Sequence, residues 1–228
     1  MLSYLIFGFV LGFIIPFVAG RFGKIIPADP GLLLLRLFHF PRFPKVNDFP
    51  RQYIFKKKWK KLLLSGFFWG LIIAKLFFLS FYLMPPSFVI WSCIFCWILC
   101  ISMVIDAEYW LLPDFFTIPL LLLGFIFVCQ TKIGINSALM GSSLAYIISV
   151  LSVLLMGIFS KNPQLGGGDV KMITAIGAWL GILGLNYALI LSFLFFIMFN
   201  LFPLQKKGAY GPALGIASII VFFIMYIK

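Results

Sequence analysis

Long runs of apolar residues dominate this 228-residue chain and decide what it can fold into. A helix of about 17 to 25 apolar residues is enough to cross roughly 30 Å of hydrocarbon. Only 11% of the residues are charged, whereas soluble domains carry about 25%. The sequence therefore predicts an all-α, polytopic membrane bundle of about eight transmembrane helices. The predicted spans are residues 2–19, 62–84, 87–105, 115–130, 136–159, 170–184, 187–203 and 211–227.

The placement of lysine and arginine predicts an orientation for these spans. If the N-terminus lies outside, fifteen of the eighteen basic residues fall on the inner side. Lys132 and Lys228 then fall outside, and Lys75 lies within a span. This distribution agrees with the positive-inside rule. It predicts an outside N-terminus and puts Asp106 and Asp169 at the same, cytoplasmic face.

The predicted organisation has two parts. Residues 1–61 hold the first transmembrane helix and a basic loop, and residues 62–228 hold the remaining bundle. The first span has no basic segment before it and no convincing cleavage site after it, so we expect it to be retained. Eleven basic residues lie in residues 20–61. We expect the net charge of +12 to contact membrane lipids, with an acidic partner as the alternative and no role in nucleic-acid binding.

The four cysteines and the single histidine predict no metal site. Cys93, Cys96 and Cys100 share one apolar span, and Cys129 ends the next span. A CxxC within hydrocarbon, with no second pair or histidine nearby, is a weak zinc or redox motif. We expect these cysteines to pack inside the bundle and His39 to pack at the surface of the basic loop.

Acidic residues are scarce, and four of the six fall in two short motifs beside apolar spans. A carboxylate close to hydrocarbon loses hydration, so such residues are functional candidates. The first motif, IDAEYWLLPD, contains Asp106, Glu108 and Asp114. We expect Asp106 at a helix end facing the cytosol or a polar cavity, and Glu108 in the solvated interface. Pro113 suits the start of a new helix, and we expect Asp114 to cap that helix in a structural role.

The second motif, GGGDVK, contains Asp169 and Lys171. The glycines Gly166 to Gly168 are expected to keep the segment non-helical until Asp169, and to let another backbone approach closely. A flexible turn with a capping aspartate would also explain this motif. A second aspartate at the same membrane face favours a functional site. Lys171 is expected to bias the ionisation of one aspartate, to bind a substrate charge, or to reach the interface.

Two neighbouring carboxyl groups suit one chemistry especially well. When they share a proton they cannot both ionise, so one acts as a base while the other stays protonated. The charged carboxylate activates water for attack on a peptide carbonyl, and the protonated one hydrogen bonds the carbonyl oxygen. This is the arrangement of aspartic proteases, and Asp106 and Asp169 are the candidate pair.

Both motifs, in this order, resemble the type IV prepilin peptidases, which are membrane aspartic endopeptidases of the GxGD type. The similarity covers roughly residues 87–228. It includes the segment Ala175 to Gly181, which resembles the helix that follows the second aspartate. The other residues that carry the resemblance are Asp106, Leu112, Pro113, Gly166, Gly168, Asp169, Lys171, Gly211 and Pro212.

The resemblance implies an endopeptidase that removes the basic leader from prepilins or pseudopilins at the cytoplasmic face of the bacterial inner membrane. It makes Asp106 and Asp169 catalytic. The extended substrate strand is expected to lie along Gly166 to Gly168. The pilus, secretion or competence system, the cleavage preference and the oligomeric state stay open. Supporting or substrate-binding roles are implied for Gly166, Gly168, Lys171, Pro113, Asp114, Gly211 and Pro212.

The N-terminal part departs from the family pattern. Bifunctional members carry two CxxC pairs in a cytoplasmic loop and methylate the new N-terminus with S-adenosylmethionine. The loop in residues 20–61 has no cysteine, and Pro16 stands where the family usually has asparagine. These differences argue against methyltransferase activity, although some members lack the cysteines. We therefore expect no cofactor, with S-adenosylmethionine needed only if methylation occurs.

Two other function classes compete with a peptidase. A proton-coupled transporter also uses membrane carboxylates, but it more often places them near the bilayer midplane on interrupted helices with repeat symmetry. A non-enzymatic assembly protein would explain the spans and the basic loop, yet it leaves the paired acids without a role. The sequence favours the peptidase.

Overall fold

The computed structural model describes residues 2–25, 59–159, 167–201 and 209–227. Every regular element in these ranges is a helix, which confirms the all-α prediction. Most of the basic loop, including His39, lies outside the described residues, as does Gly166. The helices are α1 (Leu2–Ile25), α2 (Trp59–Leu83), α3 (Val89–Tyr109), α4 (Asp114–Val128), α5 (Gly134–Phe159), α6 (Gly167–Leu201) and α7 (Gly211–Tyr226).

Five of the described helices, α1, α2, α3, α5 and α6, are long and apolar enough to cross a membrane. The helices α4 and α7 are apolar but shorter, with 15 and 16 residues. Large apolar side chains lie on the outer surface of the bundle, for example Leu64, Leu183 and Ile224. Such a surface suits contact with lipid and explains why hydrophobicity is high all around these helices.

The longest helix, α6, changes direction at Gly181, whose backbone is not helical (φ 65°, ψ −174°). Near the start of α6, the charge of Asp169 acts on Tyr210. Much later in α6, the Ser192 hydroxyl forms a hydrogen bond with the same tyrosine, with Oγ and Oη 2.5 Å apart. A straight helix would separate residues 169 and 192 by about 35 Å. The chain therefore turns back between them.

Tyr210 lies just before the start of α7, and contacts at the C-terminal end of α7 locate the turn in α6. Tyr226 Oη donates a hydrogen bond to the carbonyl oxygen of Trp179 at 2.9 Å, and Gly184 packs against Met225. Helix α6 is thus a helical hairpin with arms at residues 167–180 and 182–201. The sequence predicted these arms as separate spans meeting after residue 184, which is later than the observed turn. The first arm is only about 21 Å long, and no local breaker other than glycine marks its end.

Replacing Gly181 with alanine should destabilise the bundle. The backbone at Gly181 lies in a region that only glycine adopts readily, so a side chain there costs about 1–3 kcal/mol. The new Cβ would also lie 2.6 Å from Ser137 Oγ. A matched control is Gly134→Ala, because Gly134 has φ +75° but no atom within 4 Å of an added Cβ. Thermal unfolding in detergent should show the larger loss for Gly181→Ala; equal losses would contradict the contact argument.

Small residues bring the helices of the bundle close together, since a helix without side chains at the contact lets another backbone approach. A Cβ at Gly141 in α5 would lie 2.9 Å from the Gly177 carbonyl oxygen, and one at Gly177 would lie 2.7 Å from the Gly141 carbonyl oxygen. In the same way, a Cβ at Gly12 in α1 would lie 2.4 Å from the Trp69 carbonyl oxygen in α2. These backbone contacts fix α5 against the first arm of α6, and α1 against α2.

An aromatic cluster fills the interior near the turn of α6. The Trp179 ring packs against Phe95 and Phe127, at centroid distances of 4.8 and 5.0 Å. Its indole N–H donates to the Leu120 carbonyl oxygen at 2.7 Å, so the buried polar atom is satisfied. Trp179 therefore ties the first arm of α6 to α3 and α4.

The cysteines of α3 pack as the sequence predicted. Cys93, Cys96 and Cys100 are buried. Cys129 is exposed, so the prediction that it packs inside the bundle was wrong. Cys96 and Cys100 lie on the face of α3 that is covered by neighbouring helices. Within the described ranges, no group of three or more histidine, cysteine or acidic residues could hold a metal ion.

Candidate active site

Asp106 lies in the last turn of α3 and is almost completely buried, with 6% of its surface exposed. Its Oδ2 atom accepts a hydrogen bond from the backbone N–H of Gly211 at 2.8 Å. Gly211 is the first residue of α7, where the backbone N–H groups have no acceptor within the helix. The Asp106 carboxylate therefore satisfies the first backbone N–H of α7, and the positive end of the helix dipole faces it.

Glycine is required at position 211 because α7 and Asp106 are in direct contact. A Cβ on Gly211 would lie 2.6 Å from Asp106 Oδ2 and 2.9 Å from Asp106 Cγ. The next residue, Pro212, has no N–H and a fixed φ, so it suits the first turn of a helix. The Gly-Pro pair thus starts α7 at the position where its first N–H meets the carboxylate.

Asp169 lies in the first turn of α6. Its charge acts on the Asp106 carboxyl group, and it also acts on the Tyr210 hydroxyl. The two aspartates are far apart in sequence, and the fold brings them to the same end of the bundle. We call this the aspartate end, defined by Asp106, Asp169 and Tyr210. Their charges interact, so both lie at this end of the bundle, and a shared proton between them stays a prediction.

The two motifs also touch through Gly168. A Cβ on Gly168 would lie 2.8 Å from Leu112 Cβ and 3.1 Å from the Leu112 carbonyl oxygen. We predicted that these glycines allow another backbone to approach, and the approaching segment is the chain's own. The prediction that the segment stays non-helical until Asp169 is wrong by two residues, because α6 begins at Gly167. Contacts of the first turn of α6 with α4 and with Leu112 help to stabilise this earlier start of the helix.

An ion pair joins the motifs at the surface. Lys171 Nζ lies 2.6 Å from Asp114 Oδ1 and 2.7 Å from Asp114 Oδ2. We predicted that Asp114 would precede α4 and cap it. Instead Pro113 occupies that flanking position, and Asp114 is the first helical residue. Lys171 reaches across from α6 to the acid of the first motif. Such a partly exposed pair adds at most about 1 kcal/mol, so its value is in fixing the relative position of the two helix starts.

The turn between α3 and Leu112 depends on Trp110, which has a left-handed backbone (φ 55°). Its N–H donates to the Asp106 carbonyl oxygen at 2.8 Å and so closes the last turn of α3. The residue is 59% exposed. A left-handed conformation costs a residue with a side chain about 1–2 kcal/mol. This sharp ending lets α4 begin beside α6 instead of extending α3 away from it.

Tyr210 belongs to the Gly-Pro segment that resembles the family, but the sequence predicted no catalytic or binding role for it. It is half-buried beside the Gly-Pro pair and bonds to Ser192, as described above. Burial raises the pKa of the Tyr210 hydroxyl, the Ser192 hydrogen bond lowers it, and the negative charge of Asp169 raises it. The hydroxyl therefore stays protonated near neutral pH and supplies a polar group close to both aspartates. Its only sequence signal is its place immediately before Gly211.

Fold and site together define a class: an all-helical, multi-pass membrane protein with two aspartates gathered at one end of its bundle. Residues 93–201 match the type IV leader peptidase family. The matched range contains both aspartates, and the Gly211–Pro212 pair lies beyond it.

Relatives of the chain agree with that family. It is 34% identical over 127 residues to the prepilin leader peptidase/N-methyltransferase of Vibrio cholerae, covering 53% of this chain and 50% of the relative. It is 34% identical over 122 residues to the protein of that name from Neisseria gonorrhoeae, covering 52% and 43%. For the protein of that name from Klebsiella pneumoniae, identity is 36% over 125 residues, covering 54% of each.

The chain thus spans about half the length of these relatives in the matched regions, with shares of 50%, 43% and 54%. No solved structure matches the chain.

Proposed function

We propose that this protein is a membrane aspartic endopeptidase that removes the basic leader from type IV prepilins or pseudopilins. The observation that carries the proposal is the meeting of Asp106 and Asp169 at one end of the bundle. In that arrangement one carboxylate takes a proton from water as the water attacks the scissile carbonyl carbon. The protonated carboxyl donates to the carbonyl oxygen as negative charge develops there. When the C–N bond breaks, the leaving nitrogen takes up a proton and the shared proton of the pair is restored.

The proposed reaction needs water and the two acids, without a metal or an organic cofactor. Other groups at the aspartate end support it. The N–H of Gly211 orients Asp106, and the Lys171–Asp114 pair holds the starts of α4 and α6 together. Because the carboxyl groups interact, the two steps of the pH–rate profile would belong to the pair rather than to either residue.

We propose that the aspartate end faces the cytoplasm of a bacterial inner membrane, with the N-terminus outside. This topology counts the arms of α6 as two spans and so gives eight in all. The lysine and arginine distribution supports it. In a Cys129→Ser background, which removes the exposed native cysteine nearby, a cysteine introduced at position 132 should react with a membrane-impermeant thiol reagent added outside intact cells. Reaction only after the membrane is opened would contradict this orientation.

The function can be tested with the full chain in lipid vesicles and a purified type IV prepilin. We expect release of the basic leader, identified by mass, with or without a protonophore that collapses the proton gradient. Hydrolysis at a fixed site draws no energy from a gradient, whereas a proton-coupled transporter depends on one. An assembly protein without catalytic activity would leave the prepilin intact, and that result would overturn the proposal.

The relatives' names include an N-methyltransferase, so methyl transfer needs its own test. The sequence differences in residues 1–61 lead us to propose that this chain lacks that activity. Cleaved pilin incubated with the protein and S-adenosylmethionine labelled in its methyl group should gain no label at its new N-terminus. Incorporated label would show that the chain is bifunctional.

Gly168→Ala should lower the rate of leader cleavage by about tenfold or more, because misplacing a catalytic group by about 1 Å can cost a hundredfold. The added Cβ would lie 2.8 Å from Leu112 Cβ and push the first turn of α6 away from the first motif. The adjacent glycine is a matched control, since a Cβ on Gly167 has no atom within 4 Å. Gly167→Ala should cleave at close to the wild-type rate. Equal activity of the two variants would show that the Gly168–Leu112 contact does not position Asp169.

A further inference from the structure

A cavity of about 490 Å³ lies between α2, α3 and α7. We call it the lateral groove. On α3 it is lined by Cys100, Met103, Val104, Ala107 and Glu108, and on α7 by Pro212, Ile216, Ile219 and Ile220. The groove reaches the surface beside Ile220, which is 37% exposed, whereas Ile219 is 8% exposed.

The lining residues on both helices recur at helical spacing. On α3, residues 100 to 108 lie on one face, and on α7, residues 212 to 220 do the same. Eight residues of helix rise about 12 Å. The two walls therefore run parallel to the helices for about 12 Å, which is roughly two turns of a further helix lying alongside.

One end of the lateral groove lies at the aspartate end. Ala107 follows Asp106 directly, and Pro212 follows Gly211, whose N–H binds Asp106. The other end continues toward the middle of the bundle along Cys100 and Ile220. A segment lying in the groove would therefore end beside the proposed catalytic pair.

The chemistry of the lining is apolar with one exception. Glu108, at the aspartate end, is the single charged residue among the residues that line the groove. A carboxylate there attracts a cationic segment and repels the anionic headgroup of a phospholipid. An occupant that is apolar along the groove and positively charged at its aspartate end satisfies both features.

We propose that the lateral groove binds the apolar helical stem of the substrate, beginning immediately after the scissile bond. The basic leader then lies on the other side of that bond, near Glu108. This is recognition of an apolar helix by a groove. It makes the groove a determinant of substrate specificity that is separate from the catalytic pair Asp106 and Asp169. The inference rests on the proposed function, since it names how the same site holds its prepilin.

Filling the groove should weaken cleavage of a complete prepilin. Ile220→Trp should slow it by at least about tenfold, equivalent to about 1.4 kcal/mol. The same variant should cleave a shortened peptide, with the leader and only four residues of the stem, within about twofold of the rate of the unaltered protein. Four helical residues rise only about 6 Å, so this peptide does not reach Ile220 at the far end of the groove. The matched control is Ile147→Trp on the exposed face of α5, which does not line the groove and is 58% exposed in the unaltered protein. That variant should cleave both substrates normally.

A photo-crosslinking measurement keeps the test independent of folding effects. A photoreactive amino acid is placed at Ile72 or Ile220, which line the groove, or at Leu71 or Ile147, which are exposed elsewhere. The Asp169→Asn background keeps the prepilin intact. Crosslinks from the groove positions should map to the first two helical turns after the cleavage site, with few from the control positions.

Three results would overturn the inference: wild-type cleavage of prepilin by Ile220→Trp, crosslinks to lipid alone, or equal crosslinking from all four positions. If Ile220→Trp slows both substrates equally, the crosslinks decide between the inference and a general defect. Failure of the proposed function is distinguishable, because the unaltered chain would then cleave neither substrate. If the unaltered chain cleaves prepilin but the groove positions give no crosslinks to it, the groove proposal is rejected and the proposed function stands.

Discussion

Asp106→Asn and Asp169→Asn should each reduce leader cleavage by at least about a thousandfold, because an amide can neither accept the proton of water nor donate one as a carboxyl group does. The shape of the side chain is nearly unchanged, and the amide oxygen at position 106 can still accept from the Gly211 N–H. Both variants should therefore insert and fold normally. The measurement is the rate of leader release from a prepilin in vesicles, at matched protein amounts.

The double variant Asp106→Asn/Asp169→Asn tests whether the two carboxyl groups act together. If the two carboxyl groups act as one unit, the double variant should be about as inactive as each single variant, as for other catalytic groups that act together. Unimpaired cleavage by either single variant would remove that residue from the catalytic pair. Independent, multiplying losses would show that the two acids act in separate steps.

Gly211→Ala should reduce cleavage by about a hundredfold or more, since a shift of about 1 Å in a catalytic group can have that effect. The added Cβ would lie 2.6 Å from Asp106 Oδ2, and so either the carboxylate or the start of α7 must move. The change adds one methyl group and alters no charge. Leader release and thermal unfolding should be measured on the same preparation.

Gly20→Ala near the end of α1 is the matched control for Gly211→Ala. A Cβ at Gly20 comes no closer than 4.0 Å to Tyr109 Oη, so cleavage should stay near the wild-type rate. If Gly211→Ala cleaves as fast as Gly20→Ala, the contact between α7 and Asp106 does not control the site. A large fall in unfolding temperature for Gly211→Ala would instead mean that Asp106 mainly anchors α7.

Several features of the bundle follow from local sequence. The apolar runs of α1, α2, α3 and α5 are visible because the thickness of hydrocarbon sets a minimum length for a helix that crosses it. The two aspartates stand out for a related reason, because an acid close to lipid is costly and therefore rare. The glycine at position 177 was also readable, since small residues at regular spacing favour close helix contacts.

The turn of α6 was harder to place. Gly177 and Gly181 are four residues apart in one apolar run, and nothing in the sequence separates a packing glycine from one with a positive φ. The structure shows that the chain reverses at Gly181. The evidence is that Ser192 and Asp169, on opposite sides of Gly181, both interact with Tyr210. The predicted boundary after residue 184 was therefore wrong, since it rested on apolar length alone.

Short stretches of sequence were enough to predict that the chain forms apolar helices and that its scarce acids adjoin them, because both depend on local composition. The contacts of the site come from helix packing: Gly211 with Asp106, Leu112 with Gly168, and Lys171 with Asp114. These partners are 56 to 105 residues apart, so no local pattern encodes them. They exist only once packed helices bring the ends of α3, α4, α6 and α7 to one place.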